Sequence, residues 1–144
     1  MSFRHTGKWA TLTMTCIGTT GAHALATGDT WQSCRMPFDG YIESVQMTLT
    51  ATGGSSGATE VMIANGSNNL WAANTLQIAY SASDGSSAVI GRSDMNSSGT
   101  ALFSEGAQLD LDVDEVPGTA STAPLTVTIV VVGNSGWTCY KTTE

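Results

Sequence analysis

Positively charged side chains are scarce in this sequence. Lys and Arg together number 5 against 12 Asp and Glu, for a formal net charge of -7, and no Lys or Arg stands between Arg35 and Arg92. A phosphate backbone is gripped by clustered cations, so direct binding to nucleic acid is not expected. Histidine is limited to His5 and His23, both in stretches of terminal or loop character. That leaves little to serve as the base of a hydrolytic triad. No H-E-x-x-H pair occurs, and no serine is expected at a nucleophile elbow. Gly53, Gly54 and Gly57 lack the following Lys-Ser/Thr of a phosphate loop. The expectation is a protein that is not an enzyme, with no catalytic residues, no cofactor and no resident metal.

Cysteine is nearly absent as well. Cys16, Cys34 and Cys139 are odd in number and contain no close pair, which excludes a disulfide framework and a C-x-x-C metal or redox motif and leaves free buried thiols as the expectation. No apolar run approaches the length of a membrane span, and the Thr-rich first twenty residues hold no continuous apolar core of the kind a secretory signal needs. Synthesis in a reducing cytoplasm and no membrane partner follow as expectations. The sequons Asn65-Gly66-Ser67 and Asn96-Ser97-Ser98 are then chance matches.

What is present is period-two patterning on a background rich in Thr, Ser, Gly and Ala. Leu12, Met14 and Cys16 alternate with Thr11, Thr13 and Thr15; Val45, Met47, Leu49 and Ala51 alternate with Ser44, Gln46, Thr48 and Thr50. Leu76, Ile78 and Tyr80 repeat the pattern, and Leu109, Leu111 and Val113 oppose Asp110, Asp112 and Asp114. Side chains on a strand point to opposite faces in turn, so each segment is read as a strand with one face inward. Further strands are expected over residues 30–36, 60–64 and 88–90, and residues 125–132 read as a central strand covered on both faces. Pro37-Phe38-Asp39-Gly40 ends one strand, and Asn65-Gly66 suits a type I′ hairpin turn.

These features predict an all-β fold, a two-sheet antiparallel sandwich of jelly-roll type with about eight strands. They divide the chain into an N-terminal arm (1–8), one β-sandwich domain (9–132) and a C-terminal tail (133–144). The arm is slightly basic through Arg4, His5 and Lys8, and the tail carries Trp137 and Tyr140 in a turn-rich setting. These five residues are the candidate partner contacts. The Asp110, Asp112, Asp114 and Glu115 cluster is the one feature with metal-ligand chemistry. Residues two apart on a strand are about 7 Å from each other, which makes a row and not a cage. The row is therefore read as a solvated face, and calcium would need a loop carboxylate such as Asp84 or Asp94 to complete its shell. Of the tryptophans, Trp9, Trp31 and Trp71 are read first as core, with Trp137 ahead of them as an interface anchor.

The run Met36-Pro37-Phe38-Asp39-Gly40-Tyr41-Ile42, a Gly/Ser loop, the hairpin at Asn65-Gly66, the segment Gly106-Ala107-Gln108-Leu109-Asp110-Leu111-Asp112-Val113-Asp114-Glu115-Val116 and the strand Leu125-Thr126-Val127-Thr128-Ile129-Val130-Val131 together resemble the small jelly-roll modules of tailed-phage virions. The resemblance spans about residues 30 to 132 and leaves the arm and tail outside it. It implies a virion structural protein made in the host bacterial cytoplasm. The expected role is a capsid decoration (cement) protein, seated as a homotrimer on the major capsid protein of a phage head. The other reading is a carbohydrate-binding or receptor-binding module of a phage fibre, which would use exposed aromatic side chains. A single module without a stalk favours decoration. The resemblance carries over no catalytic or metal residues.

Overall fold

The computed structural model describes residues 2–3, 9–17, 27–50, 54–96, 101–118, 124–133 and 139–140. These form twelve strands: β1 (Ser2–Phe3), β2 (Trp9–Ile17), β3 (Gly28–Arg35), β4 (Gly40–Leu49), β5 (Ala58–Asn65), β6 (Asn68–Asn69), β7 (Gln77–Ala79), β8 (Ser87–Gly91), β9 (Leu102–Phe103), β10 (Gln108–Glu115), β11 (Pro124–Gly133) and β12 (Cys139–Tyr140). A short 3-10 turn covers Arg92–Asp94, and there is no α-helix among the described residues.

Eight of these strands build two antiparallel sheets. Sheet I has the order β2-β11-β4-β8 and sheet II the order β3-β10-β5, with β7 and β6 on the far side of β5. Antiparallel pairs β2–β11, β3–β10, β4–β8 and β5–β7 join strands that are nested in sequence. That nesting is one long ribbon folded over on itself, the topology of an eight-stranded jelly roll. The sandwich expected from the alternating pattern is the fold observed. Β-strand β9 adds a short pairing to the start of β4, and β6 closes a hairpin on β5.

The core lies between the sheets and is fed by alternate positions. Sheet I contributes Ile42, Val45, Met47, Leu49, Leu125, Val127, Ile129 and Val131; sheet II contributes Val61, Ile63, Leu109, Leu111 and Val113, all of them buried. Each such side chain contributes roughly 1.5–3 kcal/mol relative to exposure. Strand β11 is central in sheet I, as expected, yet only one face is closed for most of its length. Thr126, Thr128 and Val130 on the other face are half-buried, and only Val132 is fully covered. Two hydroxyl side chains on that face explain why it does not need a second apolar layer.

Strand β5 departs further from expectation, being buried from Ala58 through Ala64 on both faces, with Thr59 and Glu60 included. The segment between β6 and β7 clasps its edge. Leu70 N donates to Ile63 O (3.0 Å) and Val61 N to Leu76 O (3.1 Å). The fully buried Trp71 donates from Nε1 to Val61 O (3.3 Å). Asn74, the one non-glycine residue with positive φ (63°) among those described, donates its backbone N–H to Glu60 Oε1. The hairpin that precedes this clasp also differs from expectation. Asn65 pairs with Asn68, so the central residues are Gly66-Ser67 with positive φ at Gly66 alone, which is the requirement of type II′ and not of type I′.

Candidate functional site

The sandwich presents two outer faces of opposite chemistry. On sheet II, Asp110 and Asp112 are half-buried and Asp114 exposed along β10. Asp110 stands opposite Ala64 of β5 and Ser33 of β3, and Asp112 opposite Met62. Between Val113 and Glu115 the register with β5 shifts, so Asp114 sits in a β-bulge and the row is not straight. Asp110 Oδ1 accepts a bond from Gln108 Nε2 (2.7 Å). The three aspartates line a shallow groove of about 330 Å³ with Ala64, Gly66, Ser67 and Asn69. No group of three or more His, Cys, Asp or Glu side chains among the described residues is placed to hold a metal ion. Asp84 lies in the turn before β8, and Asp94 in the 3-10 turn after it, both attached to a strand of sheet I. The fourth member of the cluster, Glu115, turns away from the row: its Oε1 accepts the backbone N–H of Ala58 (3.1 Å).

Sheet I shows a broad face with few charges. The register sets Thr126, Thr48 and Ser87 in one row, Thr128, Gln46 and Val89 in the next, and Val130, Ser44 and Gly91 in a third. Across β11, the rows continue to Thr15, Thr13 and Thr11 of β2 as register partners. Thr48 Oγ1 and Ser87 Oγ are 2.8 Å apart and share a hydrogen bond. Val89 is 63 % exposed. Ionisable side chains enter this face only at its end among the described residues. Glu43 is the extra residue of a bulge in β4, and the Arg92 guanidinium lies over the Tyr41 ring, 4.2 Å from its centroid. Next to this end, Leu102 is 47 % exposed beside an open groove of about 320 Å³ whose other walls are Asp39, Gly40, Phe103 and Ser104. The Asp39 carboxylate is engaged there by the Glu105 N–H (2.7 Å).

Of the predicted contact residues, Arg4, His5, Lys8 and Trp137 lie outside the described residues. Tyr140 is in β12, where it is the register partner of Ser2, and Cys139 is that of Phe3. Sequence reading treated arm and tail as separate ends. Their pairing brings both chain termini into one two-stranded ribbon, and no local signal in either segment announces it. Trp71 is core, as first read. Cys34 is a free, half-buried thiol, pushed up from its ordinary pKa by burial.

One serine motif escaped sequence reading. Gly53-Gly54-Ser55-Ser56-Gly57 has the G-x-S-x-G spacing of a nucleophile elbow. An elbow needs a strand running into a helix. Here Ser55 is exposed, the segment leads into β5, and Ser55 Oγ donates to Gly118 O (3.2 Å). The motif therefore serves to tie two loops together.

No family model matches the chain, and no curated protein matches it in sequence. Among solved structures, a chain of the cyanophage Pam1 capsid asymmetric unit is similar with a TM-score of 0.44 and 12 % identity, over 87 % of this chain and 81 % of that one. A score below 0.5 at that identity identifies neither a shared family nor a shared role.

Proposed function

We propose that this protein is a non-enzymatic structural component of a phage virion, a decoration protein that binds the outer surface of the head and stabilises it as an oligomer. The observation that carries the reading is the pairing of β1 with β12. The terminal segments 1–8 and 134–144 hold three of the five cations, Arg4, Lys8 and Lys141, together with Trp137 and Tyr140. The pairing of Ser2–Phe3 with Cys139–Tyr140 joins two segments whose sequences carry these cationic and aromatic residues in a chain that is otherwise acidic. Such a combination suits anchoring on a partner surface, with aromatic and cationic groups supplying the contact. The jelly roll behind it agrees with the resemblance to virion modules, and jelly rolls recur in capsid and lectin domains alike.

Binding works by mass action. A protein that associates with the expanded shell and not with its unexpanded form stabilises the expanded one in proportion to that difference, and a homotrimer multiplies a weak contact through avidity. The partner is the major capsid protein, and the complex forms on the virion surface after synthesis in the host cytoplasm. The test is sedimentation with empty expanded heads, using the full chain and a form lacking residues 1–8. Full-length protein is expected in the pellet, and the folded truncation in the supernatant. Undiminished binding by the truncation would remove the arm from the contact. Retention on a glycan column with no affinity for heads would move the role to carbohydrate binding.

A further inference from the structure

We propose that Asn65 is a modification site, deamidated through the backbone nitrogen of Gly66, and that the change releases the β5–β6 hairpin from β9. The inference is independent of the virion reading.

The sequence offers three places for this chemistry. A backbone nitrogen can attack the side-chain carbonyl carbon of the residue before it, and glycine, having no side chain, leaves that nitrogen unshielded. Asp39-Gly40, Asn65-Gly66 and Asp84-Gly85 are the Asp-Gly and Asn-Gly pairs of the chain. The fold ties down two of them. Gly85 N donates to Leu49 O (2.9 Å). Gly40 is buried in β4, with Gly133 and Phe103 as register partners, and Asp39 Oδ1 accepts the Glu105 N–H (2.7 Å). Gly66 is placed differently. It is exposed, nothing lies within 4 Å of the position a Cβ would take, and its N–H has no partner among the described residues. In a two-residue hairpin the closing bonds belong to the flanking pair, here Asn65 and Asn68, which leaves the first N–H of the turn to solvent.

This hairpin also opens readily. Strand β6 is two residues long, both exposed, and two register pairs hold it to β5; short exposed ladders are where local opening requires least free energy. Opening frees Asn65 Nδ2 from Leu102 O, its acceptor at 2.7 Å, and lets Cγ reach Gly66 N. The N–Cγ bond forms as the Gly66 N proton is lost, the Cγ–Nδ2 bond breaks, and Nδ2 leaves as ammonia. Water then opens the cyclic imide at one carbonyl or the other, giving an aspartyl or an isoaspartyl residue. No oxidant, reductant or enzyme enters the balance.

Either product breaks the tie to β9. The amide donates to the Leu102 carbonyl, whereas a carboxylate only accepts, so two oxygens then face each other. The isoaspartyl form also lengthens the main chain by a methylene where Asn65 is in register with both Leu109 and Asn68. Leu102 belongs to β9 and lines the groove beside Gly40, so the loss reaches that groove.

The test is to age the folded full-length protein in warm, mildly alkaline buffer, with a parallel sample in urea. Peptide mass spectrometry follows the amide-to-acid mass gain, and enzymatic methylation marks isoaspartyl residues. In the folded protein Asn65 is expected to convert at least about tenfold faster than Asn68, Asn69, Asn74 or Asn96. Folding is expected to slow isoaspartyl formation at Asp84 by at least about tenfold and conversion of Asn65 by about threefold or less. Gly66→Ala shields the nitrogen with a methyl that meets no neighbour, and is expected to slow Asn65 at least about tenfold with the fold intact by circular dichroism. Asn65→Asp, which stands in for the aspartyl product, is expected to speed hydrogen exchange at Leu102 and Phe103. An Asn65 amide that folding protects as strongly as Asp84, or one that converts unslowed in Gly66→Ala, would overturn the site. Unchanged exchange in Asn65→Asp would overturn the release of β9.

Discussion

Replacing Gly40 with alanine is expected to be the most damaging single-methyl change in sheet I. Gly40 opens β4, where it pairs with Gly133 of β11 on one side and Phe103 of β9 on the other. A Cβ at this position would overlap the Val132 carbonyl oxygen and stand 3.0 Å from Phe103 Cζ. The first neighbour is backbone in the central strand and cannot swing away. Phe103 is held against Phe38, with ring centroids 6.0 Å apart. Accommodating the methyl means displacing β4 from β11 at this end. Overpacking of this kind costs about 1–3 kcal/mol, and weakening one or two ladder bonds adds about 1 kcal/mol each. The gain from removing a glycine from a strand offsets only about 0.5–1 kcal/mol. The net loss is about 3 kcal/mol, a large share of the roughly 5–15 kcal/mol that holds a domain of this kind together. In urea, with a slope of about 2 kcal/mol per molar, the midpoint should fall by about 1.5 M. Gly66→Ala is the matched control. Nothing lies within 4 Å of its added methyl, and only the positive φ of 61° opposes it, so its cost is about 1 kcal/mol. A Gly40→Ala protein within about 0.5 kcal/mol of wild type, or one no worse than Gly66→Ala, would refute the reasoning.

Trp71→Phe removes the donor to Val61 O and leaves a smaller ring in a fully buried site; a loss of about 3 kcal/mol is expected from the unpaired carbonyl and the cavity together, read by urea unfolding. At Cys34, burial favours the neutral thiol, so alkylation followed by peptide mapping should be slower in the folded protein than in the unfolded chain at mildly alkaline pH. The linkage has the matching sign. The unfolded thiol ionises first, so its contribution to stability is whole below the ordinary thiol range and is lost as pH rises through the raised folded value. Millimolar calcium, followed by EDTA, is expected to leave the unfolding midpoint unmoved. A bound ion at 100 times its dissociation constant would add about 2.7 kcal/mol and raise the midpoint visibly.

The parts of the fold legible in the sequence are those where one face meets the core and the other meets water. Leu109, Leu111 and Val113 against Asp110, Asp112 and Asp114 fix β10 and its orientation, because a shift by one residue would bury the aspartates. Val45, Met47 and Leu49 do the same for β4. Strand β5 lacks that contrast. Glu60 and Thr59 are polar and buried all the same, because the clasp from Leu70 to Leu76 closes over the strand and Asn74 supplies a backbone donor to Glu60. Such a partner fourteen residues away leaves no mark in local periodicity. The turn at Gly66 was misplaced by one residue because Asn-Gly and Gly-Ser are both sound hairpin centres, and strand register chose between them. The candidate site was legible in its chemistry and not in its arrangement. The aspartate row and the composition of arm and tail stand in the sequence, whereas the pairing of Ser2–Phe3 with Cys139–Tyr140 joins segments at opposite ends of the chain.

What is proposed for this protein is the stabilisation of a phage shell by binding to its outer surface. Its most direct test is the temperature at which expanded heads release their DNA, followed with an intercalating dye with and without saturating protein. A release temperature that rises with protein concentration and then saturates is the predicted result. A release temperature indifferent to the protein at every concentration would contradict the account.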